Sequence, residues 1–269
     1  MSFIAISTPE FVRVRDLVYD LTGISLSDAK RTLVCGRLLK RLVHYSFGSF
    51  SEYLDLIVAP GSDEERQTFV NLMTTNETSF FREPRHFDFL RAEALPPLAR
   101  SADVRVWSAA CSTGEEPYTI AMVLAEARGM SGWEVVASDV STRALDHAKA
   151  GHYAEDRNTG IPKHCLRKYC LKGVRSQAGT FAIDPALRER VAFAHLNLIE
   201  SLPRLGLFDV IFLRNILIYF DVPTKAKVVS NVARFLKPGG YFMVGHCETL
   251  QAVPTALVNV QPAVYRNPA

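Results

Sequence analysis

From residue 104 onward, the chain alternates between apolar segments of strand length and amphipathic segments of helical length. The predicted strands are 104–110, 133–138, 208–213 and 241–245. The predicted helices that separate them are 118–128, 142–150 and 224–236. Strands that alternate with helices form a parallel sheet that is covered on both faces, and the ligands of such sheets bind beyond the carboxyl ends of the strands. The residues that directly follow each strand are therefore the first candidates for a functional site.

The residues before this alternation predict a set of helices. Thr8 and Pro9 suit the start of a helix over 11–21, because a capping residue followed by proline is favoured in the first turn. The other predicted helices are 27–42, 50–58 and 63–73. Helical spacing predicts that the second helix buries Leu33, Val34, Leu38, Leu42 and Val43.

The alternation breaks between residues 151 and 190, where charged residues cluster and glycines predict turns. We predict a small β-subdomain inserted over residues 152–190, with 180–183 as an edge strand. A length of 269 residues is typical of about two domains. The predicted fold is therefore a small all-α domain over 1–76, followed by an α/β, doubly wound domain over 77–269 that contains the insertion.

Charge and hydropathy disfavour several classes of protein. Lys and Arg number 31 against 28 Asp and Glu, and this near balance disfavours a dedicated nucleic-acid-binding protein. The most apolar stretch, 208–220, is interrupted by Asp209, Arg214 and Asn215 and is too short to cross a bilayer. Residues 1–10 have neither a basic flank nor a long apolar run, so no signal peptide is expected. We therefore expect a cytoplasmic protein without membrane insertion.

The cysteines predict reduced thiols and no metal centre. There are five of them, and no Cys-x-x-Cys pattern occurs. His164, Cys165 and Cys170 lie close together, but a fourth ligand at useful spacing is missing, and structural zinc sites are almost always four-coordinate.

The loop after the first predicted strand differs from a dinucleotide-binding loop. A Gly-x-Gly-x-x-Gly pattern is expected there in a Rossmann dehydrogenase, whereas this loop has only Gly114 and two carboxylates, Glu115 and Glu116. Two carboxylates would repel a pyrophosphate, so a cationic or uncharged ligand fits better. The alternative is an ordinary tight turn with solvated glutamates.

The second predicted strand ends at Asp139, about 20 residues after this loop. An acidic residue at this position can accept hydrogen bonds from two ribose hydroxyls, although aspartate also caps helices. Together the two strand ends suggest a nucleoside without a pyrophosphate. S-adenosylmethionine meets this description.

The third predicted strand runs directly into Arg214 and Asn215. Charged groups are rarely buried unless they are paired, so the functional interpretation is that both residues face a ligand or substrate. The alternative for Arg214 is a side chain that reaches the surface or forms a structural ion pair.

Three long motifs resemble those of the bacterial chemotaxis receptor methyltransferase family, CheR. They are TTNETSFFRE over 74–83, WSAACSTGEEPY over 107–118, and FDVIFLRN over 208–215 continuing to IYF over 218–220. The resemblance covers nearly the whole chain. It implies a small helical domain, a Rossmann-like class I methyltransferase domain and a β-subdomain inserted in the latter.

The resemblance also implies an activity and a set of site residues. The family transfers a methyl group from S-adenosylmethionine to glutamate side chains of chemoreceptors and releases S-adenosylhomocysteine. Its cofactor contacts fall on Asn76, Thr78, Arg82, Glu116, Asp139, Asn197, Leu198, Arg214 and Asn215. Its motifs near the transferred methyl group contain Arg82 and Tyr219.

The implied chemistry needs no general base. The pKa of a glutamate carboxyl is near 4.3, so the nucleophile is already ionised at neutral pH. Our mechanistic hypothesis is that Arg82 or Arg214 orients the incoming carboxylate, while Tyr219 packs or hydrogen-bonds beside the methyl group.

Two further segments are candidate partner sites, and we expect the chain to be a monomer. Residues 29–51 hold basic but no acidic side chains, and the resemblance implies that the helical domain contacts the receptor's cytoplasmic helical region. The predicted docking residues are Arg31, Arg37, Lys40 and Arg41. The alternative is a solvated helix face. The loop over 172–183 is a candidate site for a receptor's carboxyl-terminal peptide, since peptides can add to a sheet edge.

Two competing functions are considered. A methyltransferase acting on nucleic acid is disfavoured, because the strand that would carry an Asp/Asn-Pro-Pro-Tyr motif ends here in Arg214 and Asn215. A non-catalytic, S-adenosylmethionine-binding receptor module would use the same binding residues, so only a turnover assay separates it from the enzyme.

Overall fold

The computed structural model describes residues 5–99 and 101–268, so the first four residues of the segment tested for a signal peptide lie outside the described residues. Its first part is all helical. The helices are α1 (Thr8–Thr22), α2 (Arg31–Tyr45), α3 (Phe50–Val58) and α4 (Asp63–Met73). The cap of α1 is Ser7 rather than Thr8: its hydroxyl accepts the N–H of Glu10, whose carboxylate accepts the N–H of Ser7.

The predicted buried stripe of α2 is partly wrong. Val34, Leu38 and Leu42 are fully buried, but Leu33 is 43% exposed and Val43 is 59% exposed. The helix is rotated relative to the prediction, so that its buried face is centred on Leu38. Leu33 instead lies at the wall of the cavity described below.

The remaining helices and strands build an α/β domain. Its helices are α5 (Arg85–Phe89), α6 (Glu115–Arg128), α7 (Thr142–Ala150), α8 (Lys163–Tyr169), α9 (Pro185–Arg188) and α10 (Val222–Ala233). Its strands are β1 (Val104–Ala109), β2 (Trp133–Asp139), β3 (His152–Ala154), β4 (Cys170–Lys172), β5 (Thr180–Ile183), β6 (Val191–His195), β7 (Phe208–Phe212), β8 (Leu236–Met243), β9 (Val258–Gln261) and β10 (Val264–Arg266).

Seven strands form the main sheet in the order β6-β2-β1-β7-β8-β10-β9. The five strands from β6 to β8 are parallel, whereas β10 and β9 add in antiparallel orientation at one edge. The strand order runs outward from β1 to β2 and β6, and then reverses to β7 on the other side of β1, as in doubly wound sheets. The sheet continues beyond the sequence-based prediction at both edges, since β6, β9 and β10 were not predicted.

The sheet is buried on both faces. Trp107 points into a cluster that joins α10 with the amino-terminal helices, including Phe11 and Leu38. The adjacent Val106 points into the opposite cluster, which contains α6 and the aromatic side chain of Phe181 from the insertion. Successive strand residues point to opposite faces, so this alternation places the helical domain on one side and the insertion on the other.

The insertion is a three-stranded antiparallel sheet in the order β3-β5-β4. The strand Thr180–Ile183 is therefore the central strand, and the prediction of an edge strand was wrong. It is central because it pairs with β3 on one side and β4 on the other, while its alternating burial turns Phe181 and Ile183 inward. None of the helices among the described residues is long and apolar enough to cross a membrane.

Candidate active site

A cavity of about 390 Å³ lies at the carboxyl ends of the parallel strands. Its walls come from the segment after α1, from residues 73–82, and from the segments after β1, β2, β6 and β7. It is lined by every residue that sequence analysis assigned to the cofactor: Asn76, Thr78, Arg82, Glu116, Asp139, Asn197, Leu198, Arg214 and Asn215. Tyr219 lines it as well. The fold thus brings into one cavity residues that are far apart in the sequence.

The loop between β1 and α6 has an unusual backbone. Ala110, Ser112 and Gly114 all have positive φ angles, of 65°, 51° and 98°. At Gly114 a Cβ atom would lie 2.8 Å from the Cβ of Ala148, so only glycine fits. Left-handed residues other than glycine cost free energy and cluster at ligand sites. The loop directs the N–H of Ser112 to Asp139 Oδ2, at 2.8 Å.

Asp139 is held at the end of β2 by two backbone donors. In addition to Ser112, the N–H of Ser141 donates to Oδ1 at 2.8 Å. Burial raises the pKa of the Asp139 carboxyl, and these backbone hydrogen bonds oppose that rise. Each oxygen retains a lone pair, which matches the two hydroxyls of a ribose.

Replacing Asp139 by asparagine is expected to raise the Kd for S-adenosylmethionine by about 10- to 100-fold, because a charge-assisted hydrogen bond contributes about 1.5–3 kcal/mol. Isothermal titration calorimetry measures this Kd. The matched control is Asp209→Asn, since Asp209 is also buried but lies at the amino end of β7. Equal Kd values for both variants would contradict the assignment.

Arg214 forms a buried network of ion pairs rather than an open substrate site. Nη1 donates to Glu116 Oε2 at 2.8 Å, and Nη2 donates to Glu83 Oε2 at 2.8 Å and to the carbonyl of Arg82 at 2.6 Å. Glu116 also accepts from Ser108 Oγ at 2.7 Å. The side chain of Arg214 is 1% exposed. Sequence analysis gave a structural ion pair as the alternative for Arg214, and this ion pair is present.

Glu83 is the site residue that sequence reasoning missed, although it ends the first motif. Its Oε1 accepts from Asn215 Nδ2 at 3.1 Å, and its Oε2 accepts the N–H of His246 at 3.1 Å. Burial raises the pKa of Glu83, but the hydrogen bonds from Arg214 and Asn215 outweigh it and lower the pKa to about 2. Glu83 thus stays ionised and ties three separate segments together.

Arg82 has a different environment from Arg214. Its Nη1 donates to the carbonyl of Glu77 at 3.0 Å, and no carboxylate within the described ranges forms an ion pair with it. It lines the cavity and is partly exposed. Its remaining donors are therefore available to an anionic group.

The segment between α1 and α2 covers the cavity from the side of Tyr219. Ile24 forms an isolated antiparallel bridge with Phe220, and the N–H of Ser25 donates to the carbonyl of Tyr219 at 2.9 Å. Sequence reasoning placed no site residue in this segment. No local sequence pattern could have predicted this contact, because the bridge joins residues almost 200 positions apart.

Glu115 is buried, which corrects the alternative of solvated glutamates in this loop. It is 1% exposed and pairs with Arg157 of the insertion, whose Nη2 lies 2.5 Å from Glu115 Oε1. Arg157 also donates to the carbonyl of Thr78 at 2.6 Å. The insertion therefore supports the wall of the cavity.

The four predicted docking residues do not form one free surface. Arg41 is paired with Glu65, which also accepts from Tyr45 and Tyr53, so Arg41 belongs to an internal network. Arg37 donates to the carbonyl of Met73 and lines the cavity. The guanidinium of Arg31 lies 5.2 Å from the ring centroid of Phe11, and Lys40 is exposed.

His86, beside this network, is expected to make stability depend on pH. Its side chain is 2% exposed, and neither ring nitrogen has a hydrogen-bond partner among the described residues. Burial lowers its pKa to about 3, and the charges of Arg214 and His246 add to the effect. In the unfolded chain His86 takes up a proton near pH 6.5, whereas in the folded chain it does so only near pH 3. Acidification between these two values therefore favours unfolding.

We expect His86→Gln to reduce the fall in Tm between about pH 7 and about pH 4.5. Thermal unfolding of both proteins over this range measures the effect. A control substitution at the exposed His44 should leave the fall unchanged. Parallel curves for wild type and His86→Gln would show that His86 does not titrate as described.

Comparison with known families identifies the chain. The family model described as "CheR methyltransferase, SAM binding domain" matches residues 76–265, and "CheR methyltransferase, all-alpha domain" matches residues 9–74. The chain belongs to the CheR methyltransferase family. The family prediction, the fold class and the S-adenosylmethionine cofactor are confirmed, and the chain is an S-adenosylmethionine-dependent methyltransferase.

Curated CheR relatives match over most of their length. Chemotaxis protein methyltransferase 2 of Pseudomonas aeruginosa is 41% identical over 95% of this chain and 92% of its own. Chemotaxis protein methyltransferase of Escherichia coli is 40% identical over 91% of this chain and 86% of its own.

The residues of the cavity fit S-adenosylmethionine chemically. Asp139 offers acceptors to ribose hydroxyls, and Leu198 adds apolar surface next to them. The Glu116 carboxylate suits a cationic amino group, and the Asn76 amide can donate to a carboxylate. The cavity volume lies in the range of small-molecule sites.

Proposed function

We propose that this chain transfers the methyl group of S-adenosylmethionine to glutamate side chains in the cytoplasmic helical region of chemoreceptors. The products are glutamate methyl esters and S-adenosylhomocysteine. The names of the relatives support the chemotaxis role, and the unpaired Arg82 at the cavity supports an anionic acceptor. The enzyme would act as a monomer in the cytoplasm.

In this proposal the chain's own residues position an acceptor that is already ionised. Arg82 binds the receptor carboxylate, because its donors are available. Both Nη atoms of Arg214 are engaged by Glu83, Glu116 and the carbonyl of Arg82, so Arg214 shapes the site from behind. Tyr219 packs beside the transferred methyl group. The bound S-adenosylmethionine supplies an electrophilic methyl group and a neutral leaving group. Alignment of the reacting atoms accounts for about 7–11 kcal/mol of the barrier.

The decisive experiment uses methyl-labelled S-adenosylmethionine and receptor-bearing membranes. We expect label on the receptor that mild base releases as methanol, since a carboxyl methyl ester is base-labile. Base-stable label would point to methylation of nitrogen or carbon. Bound cofactor without any label on several receptors would favour the non-catalytic module.

Docking through the basic surface of α2 is part of the proposal. The docking residues in this proposal are Arg31, Arg37 and Lys40. Arg41 is left out because it is paired with Glu65. Attraction between exposed charges is screened by salt, so the methylation rate should fall several-fold from low to moderate ionic strength. Lys40→Ala should weaken this dependence, whereas Lys227→Ala on α10 should not. A rate that is flat with salt would contradict charge-guided docking.

The β-subdomain is the proposed site for a receptor's carboxyl-terminal peptide. The strand β4 is at the edge of its sheet and exposes Leu171, at 51%. An extended peptide could add to this edge through main-chain hydrogen bonds.

A further inference from the structure

Glu248 is a buried carboxylate that is surrounded by backbone donors. Its Oε2 accepts the N–H groups of Gly245 at 2.6 Å and of Asn215 at 2.8 Å. Its Oε1 accepts those of Leu217 at 2.7 Å and of Ile218 at 3.3 Å. The residue is 8% exposed, and no cation in the described part of the chain forms an ion pair with it.

Three of these four donors belong to one segment, residues 215–218. This segment follows the strand end that carries Arg214, and it leads to Tyr219 through a single turn of 3₁₀-helix at Leu217–Tyr219. Asn215 has a left-handed backbone with a φ angle of 58°. The segment therefore lacks the regular hydrogen bonds of a strand or long helix, and Glu248 supplies acceptors in their place.

We propose that Glu248 is a positioning residue for methyl transfer, because it fixes the backbone that holds Asn215 against the cofactor and Tyr219 beside the transferred methyl group. The part that concerns methyl transfer rests on the proposed function. The part that concerns S-adenosylmethionine binding does not. Glu248 itself does not line the cavity, so it acts through the segment 215–219.

The four backbone N–H groups around Glu248 require a side chain that accepts hydrogen bonds at both of its terminal atoms, and a carboxylate does so. A carboxylate is an acceptor at both oxygens, whereas a glutamine amide would turn an NH₂ group toward at least one backbone N–H. That substitution would leave two donors opposed at one end of the side chain. Burial raises the pKa of Glu248, and the four backbone hydrogen bonds oppose this by favouring the ionised form.

The test compares Glu248→Gln with a matched control, Asp209→Asn. Asp209 is 6% exposed, accepts the N–H of Arg105 at 2.8 Å and pairs with Lys237. It lies on β7, the strand that leads to the segment 215–218, at the end far from the cavity. Both substitutions remove a buried charge and are expected to lower Tm. The measurements are Tm, the Kd for S-adenosylmethionine by calorimetry, and kcat at saturating cofactor well below Tm.

We expect Glu248→Gln to lower kcat by about 10- to 100-fold, because displacements near 1 Å have effects of this size on catalysis. Its Kd for S-adenosylmethionine should rise several-fold. Asp209→Asn should leave both values within about twofold. Glu248→Asp keeps the charge and should restore part of kcat, and it replaces Glu248→Gln if that variant does not fold.

Equal kcat and Kd changes in Glu248→Gln and Asp209→Asn would show a general stability effect and overturn the proposal. Unchanged values in Glu248→Gln would overturn it as well. If the wild type binds S-adenosylmethionine but methylates no receptor, the proposed function fails, and the Kd comparison still decides whether Glu248 positions the segment.

Discussion

Replacing Arg82 by alanine is expected to lower kcat for receptor methylation by about 100-fold, because a misplacement of the reacting carboxylate by about 1 Å has an effect of this size. Arg82 lines the cavity, and its guanidinium donates only to the carbonyl of Glu77 among the described residues. The donors that remain are those that a receptor carboxylate needs. The rate of base-labile label transfer at saturating S-adenosylmethionine measures the effect.

Two further variants give this prediction its controls. Arg85→Ala removes a neighbouring, exposed guanidinium that does not line the cavity, and it should keep kcat. Arg82→Lys keeps the charge but loses the planar pair of donors, so its kcat should lie between those of wild type and Arg82→Ala. Unchanged turnover in Arg82→Ala would refute the role of Arg82 in orienting the carboxylate.

Replacing Arg214 by lysine is expected to lower kcat by about 100-fold or more and also to lower Tm. Arg214 bridges Glu83 and Glu116 and reaches the carbonyl of Arg82. A lysine ammonium cannot reach all three groups with one planar fork. An unbalanced buried carboxylate costs about 3–5 kcal/mol, so the walls of the cavity would rearrange even though the charge remains.

The matched control for this variant is Arg105→Lys. Arg105 also forms an ion pair, with Glu134, but it is only partly buried and lies at the amino end of β1. It should lose stability without a comparable loss of kcat when assayed well below Tm. Kinetic constants and thermal unfolding of both variants separate the two effects. A kcat near that of wild type in Arg214→Lys would show that a positive charge at this position is enough for activity and that the planar fork of arginine is not required.

Local patterns predicted the regular elements well. The bounds of α3, α4 and α7 agree with the sequence-based prediction, and β1 and β2 differ by one residue. These segments have strong periodicity and clear capping or turn residues, which act over a few positions. Three strands of the main sheet, β6, β9 and β10, were not predicted. The edge strands β6 and β9 are weakly buried, and β10 has only three residues, so none has a strong strand pattern.

The site was predicted by resemblance and by position, but its internal connections were not. The pair Arg214–Glu83 joins residues 131 positions apart, and three of the four backbone hydrogen bonds of Glu248 span 30–33 positions. Sequence spacing carries no information about such pairs, because they depend on how segments that are distant in the sequence pack around the carboxyl end of β7. The same limit explains Thr180–Ile183, whose central position depends on two partner strands.

The bridge between Ile24 and Phe220 has a consequence for protein engineering. The family models divide the chain near residue 75, which makes the helical part look exchangeable between relatives. Yet this part contributes one wall of the cavity and shares a core with Trp107. A chimaera that takes a foreign helical part must therefore also match the surface around Phe220, so an exchange of the helical part is expected to alter the wall of the cavity as well.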